Sequence, residues 1–160
     1  MSLIFLLSLI LYYFNLFTVE NAEKFNDLFL NIETGEIILV TSEELRAAEE
    51  EEPFDHLPDW QQEDRKVAID VIENFENYKE LPTKDEVNEY EIMEDYCLTI
   101  SDQVKRDALL KAIKGKGAFR RFKDKIIDFD IEEQWYSFRD ERYKEIAIEW
   151  CQENNVKYIE

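Results

Sequence analysis

The hydrophobic and polar positions of this chain follow a helical period over most of its length. From Trp60 onward, apolar residues recur every three or four positions, and prolines, glycines or capping residues interrupt the pattern at intervals. This spacing predicts about five helices, over residues 60–78, 83–100, 101–115, 117–129 and about 131–154. The first of them is expected to reach Tyr78 and to end before Pro82.

One short region predicts strands. Residues 28–31 and 36–40 are rich in apolar residues and are joined by a turn in which Gly35 can adopt a positive φ. Thr41 and Glu44 then have the spacing of a capping box, in which Glu44 reaches back to the start of a short helix. The predicted fold class is therefore α+β and mostly α, with an N-terminal β-hairpin followed by a compact bundle of about five helices.

The N-terminal leader, residues 1–19, carries no charged side chain, and residues 1–17 are nearly all apolar. A signal peptide would have a basic start, yet the first base is Lys24. Seventeen residues are barely enough to span a bilayer, and no basic cluster flanks them. Three interpretations remain open: a membrane anchor, a helix packed on the domain, or translated sequence upstream of the functional start. We expect a single globular domain over residues 20–160, with membrane association only if residues 1–17 are an anchor.

The overall charge is strongly negative. The chain has 38 acidic and 19 basic residues, a formal net charge of −19, and 45% hydrophobic residues. This composition is typical of a folded, soluble protein whose field repels nucleic acid at long range and suits a basic protein partner. Binding to phosphate would therefore have to be local.

The residues that commonly bind metals are scattered. Cys97 and Cys151 are 54 positions apart without a CxxC motif, which favours reduced, buried thiols in a cytoplasmic protein. His56 is the one histidine and lies in a predicted loop, where a lone imidazole makes a poor metal site. We therefore expect no metal site and no cofactor.

Positive charge is concentrated in one place. Seven of the nineteen bases lie in residues 111–125, here called the basic segment, together with one acid and two of the three glycines. A helix that begins after these glycines presents unpaired amides and the positive end of its dipole. A P-loop is excluded because no Ser or Thr follows Lys116. The candidate anion-binding residues are Lys114, Gly115, Lys116, Gly117, Arg120, Arg121 and Lys123.

The helix after the glycines has a predicted inner and outer side. Phe119, Phe122, Ile126 and Phe129 have the spacing of a buried stripe. Arg120, Arg121 and Lys125 then point outward, where they are available to an anionic partner. The alternative interpretation is a tight turn followed by an ordinary solvated basic face.

The last predicted helix has an arginine within its apolar face. Arg139 projects among Trp135, Tyr143 and Trp150, and an unpaired guanidinium in a core would be strongly destabilising. We expect either a carboxylate partner from the acidic helices or a cleft that admits an anionic ligand. Arg139 and Trp135 are the candidate residues for this buried ion pair or cleft.

No complete catalytic set is present. Asp124, Asp128 and Asp130 could in principle chelate magnesium, but a pair of acids four residues apart is usually solvated surface. The sequence also lacks a calcium loop, an HExxH motif and a nucleophile elbow. These observations favour a small non-enzymatic binding module whose basic segment meets an anionic partner such as nucleic acid. The alternative is an acidic protein-interaction domain in which the basic segment is purely structural.

Three segments resemble an uncharacterised bacterial protein family, number 0158. They are residues 114–124, with the sequence Phe-Arg-Arg-Phe at their centre, residues 135–139, with the sequence Trp-Tyr-Ser-Phe-Arg, and residues 147–151. The resemblance extends back through the hairpin and covers roughly residues 28–158. It implies a bacterial origin and a compact cytoplasmic domain, and it supplies no reaction, cofactor or catalytic residue. The hydrophobic leader departs from the family pattern, which favours the upstream-start interpretation.

Overall fold

The computed structural model describes Tyr12 and residues 26–158. The fold is α+β and mostly α, which confirms the predicted class. The described elements are β1 (Asn26–Asn31), β2 (Ile37–Thr41), α1 (Ser42–Glu49), α2 (Asp59–Glu73), a 3-10 turn (Phe75–Asn77), β3 (Tyr78–Glu80), α3 (Lys84–Val87), α4 (Glu89–Thr99), α5 (Gln103–Ala112), α6 (Ala118–Asp128) and α7 (Glu132–Glu153).

The chain divides into two compact units. Of the described residues, those up to Thr83 and residues 148–158 form the first unit, and residues 84–147 form the second unit. The single domain expected over residues 20–160 stays a prediction. The predicted leader, residues 1–19, lies outside the described residues except for Tyr12. Within the part of the chain that the structure describes, no helix is long and apolar enough to cross a membrane.

The first unit is built on a three-stranded antiparallel sheet in the order β2-β1-β3. The predicted hairpin is confirmed: β1 pairs with β2 in a register that places Leu28 opposite Leu39. Gly35 closes the turn at a φ of +77°. The side chain of Asn31 supports this turn by accepting hydrogen bonds from the backbone N–H groups of Glu33 and Thr34, at 2.9 and 3.1 Å.

The third strand corrects the sequence prediction, which extended a helix to Tyr78. Helix α2 ends at Glu73, and residues 78–80 form β3 on the other side of β1. The N–H of Leu81 donates to the carbonyl of Leu28 at 2.8 Å, and the indole N–H of Trp150 donates to the carbonyl of Glu80 at 2.9 Å. A three-residue strand is too short to show an alternating pattern, so these distant partners determine its conformation.

A buried ion pair joins the two helices of the first unit. Arg65 on α2 is 5% exposed, and its Nε lies 2.5 Å from Oε2 of Glu44 on α1. Its Nη1 also donates to the carbonyl of Glu52 at 3.2 Å. Thr41 caps α1 as predicted, because its hydroxyl accepts from the N–H of Glu44 at 3.1 Å. The carboxylate of Glu44, however, accepts from Arg65, a distant partner that local capping rules could not predict.

Aromatic rings form the core of the second unit. Trp135 on α7 is 3% exposed, and its ring meets Phe122 of α6 edge-on with centroids 4.8 Å apart. Tyr96 of α4 lies 5.4 Å from the same indole. Edge-to-face ring pairs add stabilisation beyond that of burying their area. This cluster holds α4, α6 and α7 together.

Each unit contains one buried thiol. Cys97 in the second unit and Cys151 in the first are both free and 0% exposed. Burial disfavours the thiolate and raises the pKa of each thiol to about 11. The expectation of buried, unpaired cysteines is therefore confirmed.

We predict that Glu44→Ala destabilises the protein by about 3 kcal/mol, because it leaves the buried guanidinium of Arg65 without its carboxylate. Urea unfolding measures the change. Glu43→Ala, which removes an exposed neighbour, serves as the control and should cost less than about 1 kcal/mol. The double variant Glu44→Leu/Arg65→Met should regain much of the loss, since an apolar pair needs no charge compensation. Equal losses for Glu44→Ala and Glu43→Ala would contradict this role.

We also predict that the two thiols make stability fall as the pH rises from about 9 to about 11. In this range the unfolded chain has lost its thiol protons while the folded chain retains them, so rising pH favours the unfolded state. Their contribution is full below pH 9 and is lost as the pH passes about 11. Urea unfolding of the native protein and of Cys97→Ala/Cys151→Ala should show a steeper alkaline decline for the native protein. Parallel declines would exclude the effect.

Candidate functional site

The basic segment folds as the end of α5, a five-residue turn and most of α6, all within the second unit. The N–H of Ile113 donates to the carbonyl of Leu109 at 3.1 Å and closes the last turn of α5. Gly115 and Gly117 then adopt φ values of +76° and +82°, in the left-handed region that glycine tolerates best. Gly117 is the N-cap of α6, as its position indicated, whereas α5 ends at Ala112 with Ile113 as its C-cap and does not extend to Gly115.

The side chain of Arg121 donates hydrogen bonds to the backbone of this turn. Its Nε donates to the carbonyl of Ala112 at 2.9 Å, its Nη1 to that of Lys116 at 2.6 Å and its Nη2 to that of Lys114 at 2.5 Å. Carbonyls at the end of a helix lack amide partners within that helix, and the rigid fork of a guanidinium can satisfy several of them at once. Helical spacing predicted that Arg121 points outward to a partner, but its observed contacts hold the turn in position.

The other cations of the site point to solvent. They are Lys111, Lys114, Lys116, Arg120 and Lys123, all of them exposed, and we call them the five exposed cations. Among residues 26–158, none of the salt bridges involves any of these five side chains. Lys125, by contrast, pairs with Asp128 at 3.5 Å and lies over the ring of Phe129, 5.7 Å from its centroid. The segment therefore has one internally paired base, one that binds the turn, and five that are available to solvent or a ligand.

The predicted buried stripe of α6 is partly wrong. Phe122 and Ile126 are buried as expected, but Phe119 is 49% exposed. The first buried position of α6 is occupied by Ala118, which precedes Phe122 and Ile126 at four-residue spacing. Consecutive residues on a helix lie about 100° apart, so Phe119 points away from the core.

The exposed side of α6 therefore combines apolar and basic groups. Phe119, Lys123 and Ile127 follow one another at four-residue spacing, with Arg120 beside them, and we call these four residues the exposed face of α6. Ile127 is 58% exposed. The hydrophobic period of the sequence could not identify this face, because Ala118 and Phe119 both have helical spacing from Phe122, and the packing of α6 on its neighbours decides which of them is buried.

The stretch of sequence that forms the site is positive in a chain that is negative overall. Residues 102–128 contain nine basic and four acidic side chains. The N-terminus of α6 adds the positive end of a helix dipole at Gly117, and no side chain caps it. Within the described part of the chain, Asp124, Asp128 and Asp130 do not come together as a group of three metal-binding side chains.

Arg139 lies elsewhere in the second unit, on α7. Its side chain is 13% exposed and its Nη2 lies 3.1 Å from Oδ1 of Asp140, the next residue. The guanidinium also lies over two rings, 4.9 Å from the centroid of Tyr136 and 5.3 Å from that of Tyr143. Cation–π contacts of this kind stabilise a partly desolvated charge. Trp135 packs into the aromatic cluster of the second unit, so the two residues that the sequence grouped together have different surroundings.

Comparison with known proteins identifies a family. The model of a family described as an uncharacterised protein family, UPF0158, matches residues 9–160. This range begins earlier than the residues that carried the resemblance in the sequence. The chain is also similar to UPF0158 protein PA5073 of Pseudomonas aeruginosa, with 21% identity over 136 residues that cover 82% of this chain and 74% of the relative. No solved structure matches the chain significantly.

We predict that Gly117→Ala destabilises the protein more than Gly115→Ala. Both substitutions place a side chain at positive φ, at a cost of about 1–2 kcal/mol, but a Cβ at position 117 would also lie 3.1 Å from Nη1 of Arg121. Nothing lies within 4 Å of the corresponding Cβ at position 115. Thermal or urea unfolding gives the two values.

The background variant Arg121→Ala tests the cause of that difference. Without the guanidinium, Gly117→Ala and Gly115→Ala should cost about the same, which is a coupling that a double-mutant cycle measures directly. If Gly117→Ala costs the same with and without Arg121, the contact between the two residues does not limit the turn.

Proposed function

This chain belongs to the uncharacterised protein family UPF0158, whose description names no activity, and we propose that it is a small non-enzymatic module that binds nucleic acid through its basic segment. One observation carries the proposal: the five exposed cations have no carboxylate partner in any salt bridge among the described residues. Lys and Arg side chains that contact phosphates supply most of the affinity in sequence-independent nucleic-acid binding.

The composition of the chain makes this lack of pairing informative. The chain has twice as many acids as bases, 38 against 19, so carboxylates are plentiful. Cations elsewhere use them: Arg46 contacts Glu50 and Glu52, and Arg142 contacts Asp95 and Glu145. An exposed cation without such a partner can bind an anionic ligand without first breaking an ion pair.

The geometry of the segment suits a phosphate chain. Lys114 and Lys116 lie on the turn, Lys111 at the end of α5, and Arg120 and Lys123 on α6, so the cations follow one continuous stretch of backbone. The acidic remainder of the protein repels polyanions, which restricts binding to this stretch. Two free, buried thiols suit a reducing compartment, and we expect the module to act in the cytoplasm.

We predict that charge reversal by Arg120→Glu/Lys123→Glu abolishes binding of the full chain to labelled oligonucleotides. Arg121 is left intact because it holds the turn. Lys66→Glu/Lys157→Glu is the matched control, since it makes the same change in net charge at two exposed lysines of the first unit. Fluorescence anisotropy should show binding for the native protein and the control, and none for the Arg120/Lys123 variant.

Salt dependence provides the quantitative readout. If all five exposed cations contact phosphates of a single strand, log K should fall with log salt at a slope of about −3.5, roughly −0.7 for each contact. The titrations are made above about 0.1 M salt, where distant acids are screened beyond roughly 10 Å. Equal loss in the control would indicate a general charge effect. No binding by the native protein would overturn the proposal and favour a basic protein partner for the acidic surface.

A further inference from the structure

We infer that the exposed face of α6 selects single-stranded nucleic acid by stacking a base on Phe119. This inference rests on the proposed function, because it specifies the kind of nucleic acid that the basic segment binds. A ring that accepts a base and cations that hold the adjacent phosphates are the two parts of a single-strand site.

The position of Phe119 is the first observation. Its side chain is 49% exposed on a helix whose other large apolar residue at the start, Phe122, is 1% exposed. Arg120 and Lys123 lie on the same exposed face, and Lys116 is three residues earlier on the turn. An exposed aromatic ring with cations on both sides can stack on a base while the cations neutralise the phosphates that flank it.

Charge distinguishes Phe119 from Trp60 and Phe75, the two rings within residues 26–158 that are more exposed than it is. Trp60 is 64% exposed and Phe75 is 68% exposed, but both lie in the first unit. Trp60 is preceded by Asp59 and followed at helical spacing by acids, and Phe75 is followed directly by Glu76. A phosphate chain would be repelled there, whereas at Phe119 it would be attracted.

The size of the face favours a single strand over a duplex. From Phe119 to Ile127 the exposed face extends about 12 Å along the helix axis, enough for a few nucleotides. A duplex keeps its bases stacked inside, so it offers no free base to Phe119. A single strand can present both a free base and a narrow line of phosphates.

Arg121 contributes by keeping the site rigid. Its hydrogen bonds to the carbonyls of Lys114 and Lys116 fix the turn that leads into Phe119. A ligand then binds to a surface whose backbone is already ordered, which reduces the entropy lost on binding. Arg121 is thus a positioning residue for the ring and the turn lysines.

The test compares Phe119→Leu with the native full chain. Leucine keeps an apolar side chain but cannot stack as an aromatic ring, so affinity for labelled oligo(U) RNA and oligo(dT) DNA should fall about 5- to 150-fold, the range for one stacked base. Affinity for inorganic polyphosphate, which has no bases, should stay the same. Phe119→Trp should restore single-strand binding, and Phe75→Leu is the matched control at an exposed phenylalanine of the first unit.

The outcomes separate this inference from the proposed function. Unchanged single-strand affinity in Phe119→Leu, or equal affinity for duplexes of the same length, would overturn base stacking while polyphosphate binding still supports an anion site. No binding of oligonucleotides or of polyphosphate would overturn both. RNA and DNA of equal affinity, or a preference for RNA through its 2′-hydroxyl groups, would each support stacking on Phe119. Melting temperatures of the variants confirm that each is folded.

Discussion

The three hydrogen bonds of Arg121 are the constraint on which the candidate site depends. A helix that ends at Ala112 leaves carbonyls without amide partners, and a new helix begins only six residues later. The guanidinium of Arg121 satisfies the carbonyls of Ala112, Lys114 and Lys116 together. One cation of the basic segment is thereby used to fix the backbone that carries the others, and the glycines on either side of Lys116 supply the positive φ values that the path requires.

The basic residues of this acidic chain are of two kinds: those that bind a carboxylate or ring within the protein, and those that are available to a ligand. Arg65 is held in the core of the first unit by Glu44, and Arg46 donates to Glu52 at the surface, where that hydrogen bond lowers the pKa of the carboxyl group. Arg139 combines a carboxylate with two ring faces. None of the five exposed cations forms a salt bridge among the described residues. The charge available to a ligand is therefore the number of basic residues less those that are already paired within the protein.

The sequence predicted those features whose causes are local. Helical spacing located most of the helical residues from 60 onward, but it predicted one helix over 83–100, where the structure has α3 and α4 with Asn88 at a φ of +46° between them. Gly35 indicated the hairpin turn, and Gly115 and Gly117 indicated the break between α5 and α6. Other features depend on distant partners. The strand β3 exists because β1 pairs with it, and nothing in three residues reveals that pairing.

In the candidate site, too, some features could be predicted from local sequence and others depend on distant partners. Its location followed from charge and glycines, but the roles within it depend on which side of α6 packs against its neighbours, since adjacent residues lie about 100° apart around the helix. With Ala118 as the first buried position, Phe119 faces solvent and Arg121 turns back to the carbonyls. In a protein of net charge −19, attraction between charges is weakened by the acidic remainder and by salt, whereas stacking of a neutral base on a ring depends far less on either. In the proposed single-strand site, an exposed ring among a few cations would therefore provide the part of the affinity that this charge distribution cannot.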